Sequence, residues 1–246
     1  MNQLHSPARL DLERQELRFI RSDLLAVKAI IANRRLALAK EILGNKKLTP
    51  FDFGISADEG RMLLVGEGNF SFSLSLVIQN PKVARHVYAT AVEKLSDAPD
   101  ETLQTCRELA KLGATIAFGI DGTTLEQKFP IGFFKTIVFQ FPNAGSRASA
   151  GGTTANHRLV SNFLCSAGRV LEVGGQIIIT IVDNNYYHGI FDLKRAAESA
   201  GFKVESAFPF FRSHFAAYRH TNTKPTASAL QSYRSCTTYR FVRARI

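Results

Sequence analysis

Apolar residues recur along this chain with two different periods, and the change of period divides it. Leu17, Ile20, Leu24, Val27 and Ile31 keep a 3-4-3 spacing that Leu38 and Ile42 resume. This spacing predicts a long helix or helical hairpin over residues 9–43, with Gly44 as its stop. Arg14, Arg18, Arg21, Lys28, Arg34 and Arg35 fall mostly off the stripe. The helix therefore has one apolar face for packing and one basic face for solvent or a partner.

Beyond a loop at 49–60, short apolar runs alternate with longer amphipathic stretches. Strands are expected at 62–65, 87–92, 114–118, 136–139, 176–182, 202–208 and 237–242. Helices are expected at 70–78, 97–112, 156–171 and 189–200, with Asp97 as an N-cap and Gly113 and Gly201 as stops. Alternating strands and helices predict a parallel sheet covered on both faces. Strands six and seven have no clear helix between them, so the last strand is expected to enter antiparallel. The segment 209–235 reads as irregular. Two regions follow: a basic helical extension, 1–50, and an α/β domain, 51–246.

Composition narrows the setting. Hydrophobic residues make up 45% of the 246, enough for a sizeable core. Cys106, Cys165 and Cys236 lie far apart without a CxxC pair, which argues against a disulfide framework or structural zinc and fits a reducing compartment. The N-terminus lacks the apolar stretch of a signal peptide, and no run of about 18 uncharged apolar residues predicts a membrane helix. A cytoplasmic location is the expectation.

The net charge of +10 is uneven: +5 over residues 1–50, −2 over 51–202 and +7 over 203–246. Basic flanks around a near-neutral domain suit a polyanion such as RNA, although basic tails also serve solubility. Within 209–235, Arg212, His214, Arg219, His220, Lys224 and Arg234 interleave with Phe211, Phe215, Tyr218 and Tyr233. Cations for phosphates beside rings for bases is the composition of a single-strand RNA surface, and Arg212 and Arg219 are its expected RNA-binding residues.

The candidate chemistry gathers at the predicted strand ends. Val65-Gly66-Glu67-Gly68-Asn69-Phe70-Ser71 joins a strand to a helix, where glycine lets backbone approach a ligand and the helix start offers free N–H groups. A dinucleotide fingerprint would require a third glycine where Ser71 stands. Glu93, ending the second strand, is placed to accept both hydroxyls of an adenosine ribose, and Asp121, ending the third, to read an adenine amino group. Gln140-Phe141-Pro142-Asn143 follows the fourth strand and offers amides and a ring to a planar substrate; an ordinary proline turn has the same composition. His188, in the loop after strand five, is a lesser candidate.

Several of these stretches resemble one family. LLVGEGNFSFSLSL, residues 63–76, is similar to the GEGDFSFSLSL motif of the Rossmann-like 25S ribosomal RNA uracil-N3 methyltransferases, with Asn69 in place of the aspartate. The resemblance continues through Ala89–Glu93, Gly119–Asp121, Ile137–Gly145, Asn156, Phe163, Gly174-Gly175 and Phe215–Thr221. Gln140 and Asn143 stand for the family's usual Asn and His, and Val182–Tyr187 replaces its usual Lys and Pro-Tyr pair.

The resemblance implies a class I, Rossmann-like methyltransferase: seven strands, mostly parallel with an antiparallel last one, plus the N-terminal helical extension. It implies S-adenosylmethionine as cofactor, held by Gly66, Glu67, Gly68, Asn69, Phe70, Ser71, Glu93 and Asp121. It also implies ribosomal RNA as acceptor, with Gln140 and Asn143 as the catalytic pair holding the base. A small-molecule methyltransferase and a non-catalytic RNA-binding module on the same fold stay open; an NAD-dependent oxidoreductase is disfavoured by Ser71.

Overall fold

The computed structural model describes residue 47 and residues 49–146, 149–150, 153–183, 185–220 and 235–244. The helix expected over 9–43, and Lys224, Tyr233 and Arg234, lie outside the described residues.

Seven strands form one sheet: β1 (Met62–Val65), β2 (Val87–Thr90), β3 (Thr115–Ala117), β4 (Phe134–Gln140), β5 (Leu171–Val182), β6 (Phe202–Phe210) and β7 (Cys236–Arg243). Their order is β3-β2-β1-β4-β5-β7-β6. The first five pair in parallel, while β7 runs antiparallel to both neighbours, with Tyr239 opposite Ile179 on one side and Ala207 on the other. This is the class I methyltransferase arrangement. The antiparallel last strand agrees with the sequence, and its insertion between β5 and β6 is new.

The helices are α1 (Phe53–Asp58), α2 (Ser71–Gln79), α3 (Asp100–Lys111), α4 (Ala155–Val170), α5 (Asn185–Phe191) and α6 (Leu193–Ser199). In α3, Thr102, Thr105, Cys106 and Leu109 form the buried stripe, with Asp100 and Glu101 at the positive end of the helix and Lys111 at the negative end. In α4, Thr154 Oγ1 caps the start by accepting from His157 N at 3.0 Å, and Val160, Phe163, Leu164 and Ala167 are buried. Strand alternation sends Met62, Leu64, Ala89, Val138 and Ile178 into one core with Phe72, Leu76 and Leu109 of α2 and α3. Phe139 points the other way, its ring 5.0 Å from that of Phe163 in α4.

Four expectations need correction. Asp97 does not cap α3, which starts at Asp100 after Pro99; Asp97 closes a 3-10 turn instead. The helix expected over 189–200 is two helices, broken at Asp192, whose φ of 43° is left-handed. β5 begins at Leu171 rather than after the glycine pair, with a register shift opposite Phe134/Thr136. The loop at 49–60 contains α1, capped by Asp52 Oδ1, which accepts from Ile55 N at 2.8 Å.

Candidate functional site

The carboxyl ends of β1 to β5 share one edge of the sheet, the edge where open α/β folds bind ligands. Gly66 leaves β1 with φ 70°, and a Cβ there would sit 2.7 Å from the Phe139 ring, so only glycine fits. Glu67 N then donates to Thr90 O at 2.8 Å, tying the loop to β2. Phe70, the residue before α2, is left-handed at φ 58° and buried against Phe118, ring centroids 5.1 Å apart. A left-handed non-glycine residue costs roughly 1–3 kcal/mol and persists where surrounding contacts impose it, often at functional sites.

The side chains of this loop face inward. Glu67 is buried, and its Oε2 accepts from Ser73 N at 3.0 Å and Ser73 Oγ at 2.8 Å, closing one of the open N–H groups at the start of α2. Burial pushes its carboxyl up to about 7, against the lowering effect of the two Ser73 bonds. Asn69 Oδ1 accepts from Ser71 N at 3.1 Å.

Asn69 and Ser71 also hold a distant segment. Asn69 Nδ2 donates to Arg219 O at 2.9 Å, while Ser71 Oγ donates to Arg219 O at 3.0 Å and accepts from Arg219 N at 2.9 Å. The segment after β6 thus folds back over the glycine loop as a strap. Its anchor is apolar: Phe215 is buried with its ring centroid 4.7 Å from that of Phe72 and 5.5 Å from that of Phe210. Tyr218 packs edge-on to Phe72 at 5.7 Å. Phe215 and Tyr218, expected to stack on RNA bases, are therefore packed on the core; among the described rings of the segment Phe211 is the exposed one.

Tyr218 Oη lies 3.1 Å from His220 Nδ1. The Tyr218 phenol is held well above its ordinary range, first by burial and then by the charge of Glu67. His220 is pushed down to about 4 by burial and by Arg212. Arg212 is exposed, and the Arg219 guanidinium pairs with Glu101 at 3.0 Å.

On the β2 and β3 side, Glu93 is exposed, and its carboxylate pairs with no other described residue; its carbonyl accepts from Gly119 N at 2.8 Å. Asp121 Oδ1 accepts from Thr123 N and Thr123 Oγ1, both at 2.8 Å, and so shapes its own turn.

On the β4 side, Gln140 is half-buried, yet its Oε1 and Nε2 are both buried and lack a hydrogen-bond partner. Such an amide costs about 1–3 kcal/mol until a partner meets it. Phe141 follows with φ 51°, the second left-handed non-glycine residue at this edge. Asn143 is exposed, and its Oδ1 accepts from Gly145 N at 2.9 Å. His188 has both ring nitrogens engaged, with Asp183 Oδ1 at 2.9 Å and Tyr239 Oη at 3.4 Å, and bridges β5 to β7. Among the described residues no cluster of His, Cys, Asp and Glu could hold a metal, and no helix is long and apolar enough to cross a membrane.

Residues 63–222 match the BMT5-like family, described as rRNA (uridine-N3-)-methyltransferase BTM5-like. The chain belongs to this family. An uncharacterized protein of Arabidopsis thaliana is 31% identical over 168 residues, covering 64% of this chain and 79% of that one. The mouse ferredoxin-fold anticodon-binding domain-containing protein 1 homolog is 29% identical over 176 residues, 65% of this chain but only 28% of its own length. The chain thus spans well under a third of the mouse protein. The 30S ribosomal A1408 methyltransferase from an uncultured bacterium superposes with a TM-score of 0.46 at 12% identity, covering 76% of this chain and 88% of that one.

Sequence reasoning missed the strap and what it covers. Phe215–Thr221 stood out as a motif, but the pairing of Arg219 with Ser71 spans 148 residues and carries no local signal.

Proposed function

We propose that this chain transfers a methyl group from S-adenosylmethionine to N3 of a uridine in ribosomal RNA, the N3 proton leaving to solvent. The observation that carries this reading is the family match over 63–222, which takes in the glycine loop, the acidic β2 end, the β4 loop and most of the strap. The cofactor supplies an electrophilic methyl on a sulfonium. The chain's own groups fit it: a solvent-facing Gly66 and Gly68 at a strand-to-helix turn, with a Glu93 carboxylate and a buried Gln140 amide that pair with none of the described residues, at one sheet edge.

In this reading the backbone of Gly66, Glu67, Gly68, Asn69, Phe70 and Ser71 lines the methionine end, since three of those side chains are engaged elsewhere. Glu93 holds the ribose hydroxyls, and Asp121 approaches the adenine. Gln140 and Asn143 hold the acceptor base, Gln140 by the two polar atoms it has free. Positioning supplies most of the rate, because an in-line displacement needs alignment more than covalent help. Exposed Arg212 and Arg219 take RNA phosphates, and the free cysteines suit a reducing, cytoplasmic setting. The role is rRNA methylation during rRNA processing.

The test is incubation with deuteromethyl-labelled S-adenosylmethionine and unmodified ribosomal RNA, followed by nucleoside mass spectrometry. Label in 3-methyluridine supports the reading. Cofactor binding with label in no nucleoside would favour a small-molecule acceptor.

A further inference from the structure

The strap brings one group to the acceptor side that the fold does not otherwise need. His220 follows Arg219, whose backbone is fixed on Ser71 and Asn69, so its position relative to the glycine loop is set within one residue. Its ring lies 5.4 Å, edge-on, from that of Phe141, the left-handed residue directly after Gln140. His220 is therefore next to the loops that follow β1 and β4, two adjacent strands whose loops carry the proposed cofactor and acceptor contacts. Nδ1 is taken by Tyr218 Oη at 3.1 Å; Nε2 pairs with no described residue. The ring is only partly buried.

We propose that His220 Nε2 is the hydrogen-bond acceptor that recognises the N3–H of the entering base, a proton that passes to solvent before the methyl takes its place, with Tyr218 fixing the tautomer. The proposal rests on uridine N3 methylation and adds the residue that selects for it. In the tautomer this requires, the Tyr218 oxygen accepts from Nδ1–H across 3.1 Å, and Nε2 is left with its lone pair outward. Burial and Arg212 keep the ring neutral at physiological pH, so this acceptor is permanent. Uracil presents a donor at N3 and cytosine an acceptor, so a lone pair at this point favours the first and repels the second. The buried, unpartnered Gln140 amide, on the strand that leads into Phe141, can supply the complementary donor for a uracil carbonyl.

Three variants of the full chain test this, His220→Phe, His220→Gln and Tyr218→Phe, with unmodified ribosomal RNA made by transcription as acceptor. His220→Phe keeps a ring against Phe141 but removes the acceptor; His220→Gln restores an acceptor oxygen. In His220→Phe, affinity for S-adenosylmethionine should stay within about threefold, while kcat/KM for 3-methyluridine formation falls about tenfold or more. His220→Gln should recover a substantial part of that loss, and Tyr218→Phe should lose less than His220→Phe. His220→Phe acting at the wild-type rate would overturn the proposal and leave uridine methylation standing, as would equal losses in His220→Phe and His220→Gln. A wild-type protein that forms no 3-methyluridine would overturn uridine methylation itself, and this inference with it.

Discussion

Glu67 links the stability of the fold to pH. The residue is 7% exposed, and among the described residues its carboxylate hydrogen-bonds Ser73 alone, through bonds of 3.0 and 2.8 Å to Oε2. Burial raises its carboxyl from 4.5 to about 7. Between these values the folded chain holds a proton that the unfolded chain has released, so stability falls as pH rises. The contribution is full below pH 4.5 and gone above about 7. At about 1.4 kcal/mol per pH unit, it amounts to roughly 2–3 kcal/mol between pH 5 and pH 8.

Glu67→Gln keeps an oxygen for both Ser73 donors and removes the titration. Urea unfolding of both proteins at pH 5 and pH 8 should show the variant gaining about 2–3 kcal/mol on the wild type across that interval, because every other titrating group is common to both. Parallel pH profiles would refute the buried, proton-linked carboxylate.

Gly66→Ala places a methyl 2.7 Å from the Phe139 ring at a φ of 70°, and should cost about 2 kcal/mol or more in thermal unfolding. A melting temperature equal to wild type would show that the loop adjusts. Glu93→Ala should weaken S-adenosylmethionine binding by about 1.5–3 kcal/mol in calorimetry, the value of charge-assisted bonds to a ribose; an unchanged affinity moves the ribose contact elsewhere. Arg212→Ala with Arg219→Ala should flatten the salt dependence of RNA binding by about one to two units, with cofactor affinity unchanged. An unaltered slope assigns the phosphate contacts to other cations.

The sheet was legible because β1, β2, β4 and β5 are continuous apolar runs ending in glycine, acid or amide, the signature of strands buried on both faces. Boundaries failed where tertiary contacts overrode local signals. β5 runs through Gly174 because pairing with β4 begins at Leu171, and Asp192 splits a helix whose periodicity is unbroken. Sequence placed Glu93 and Gln140 at the carboxyl edge of the sheet, where the structure also has them. It could not tell that Glu67 turns inward to Ser73, because Glu67 and Glu93 look alike as acids at strand ends. Phe215 and Tyr218 were misread as base-stacking rings for a related reason: aromatic spacing alone does not distinguish a ring that stacks on RNA from one that anchors a strap to Phe72.

The nucleoside content of ribosomal RNA from cells in which the gene has been deleted decides whether this chain methylates uridine N3. Loss of 3-methyluridine at one or more rRNA positions is expected, restored by the wild-type chain and not by a Gly66→Ala, Glu93→Ala double variant. An rRNA profile with every 3-methyluridine intact would contradict it.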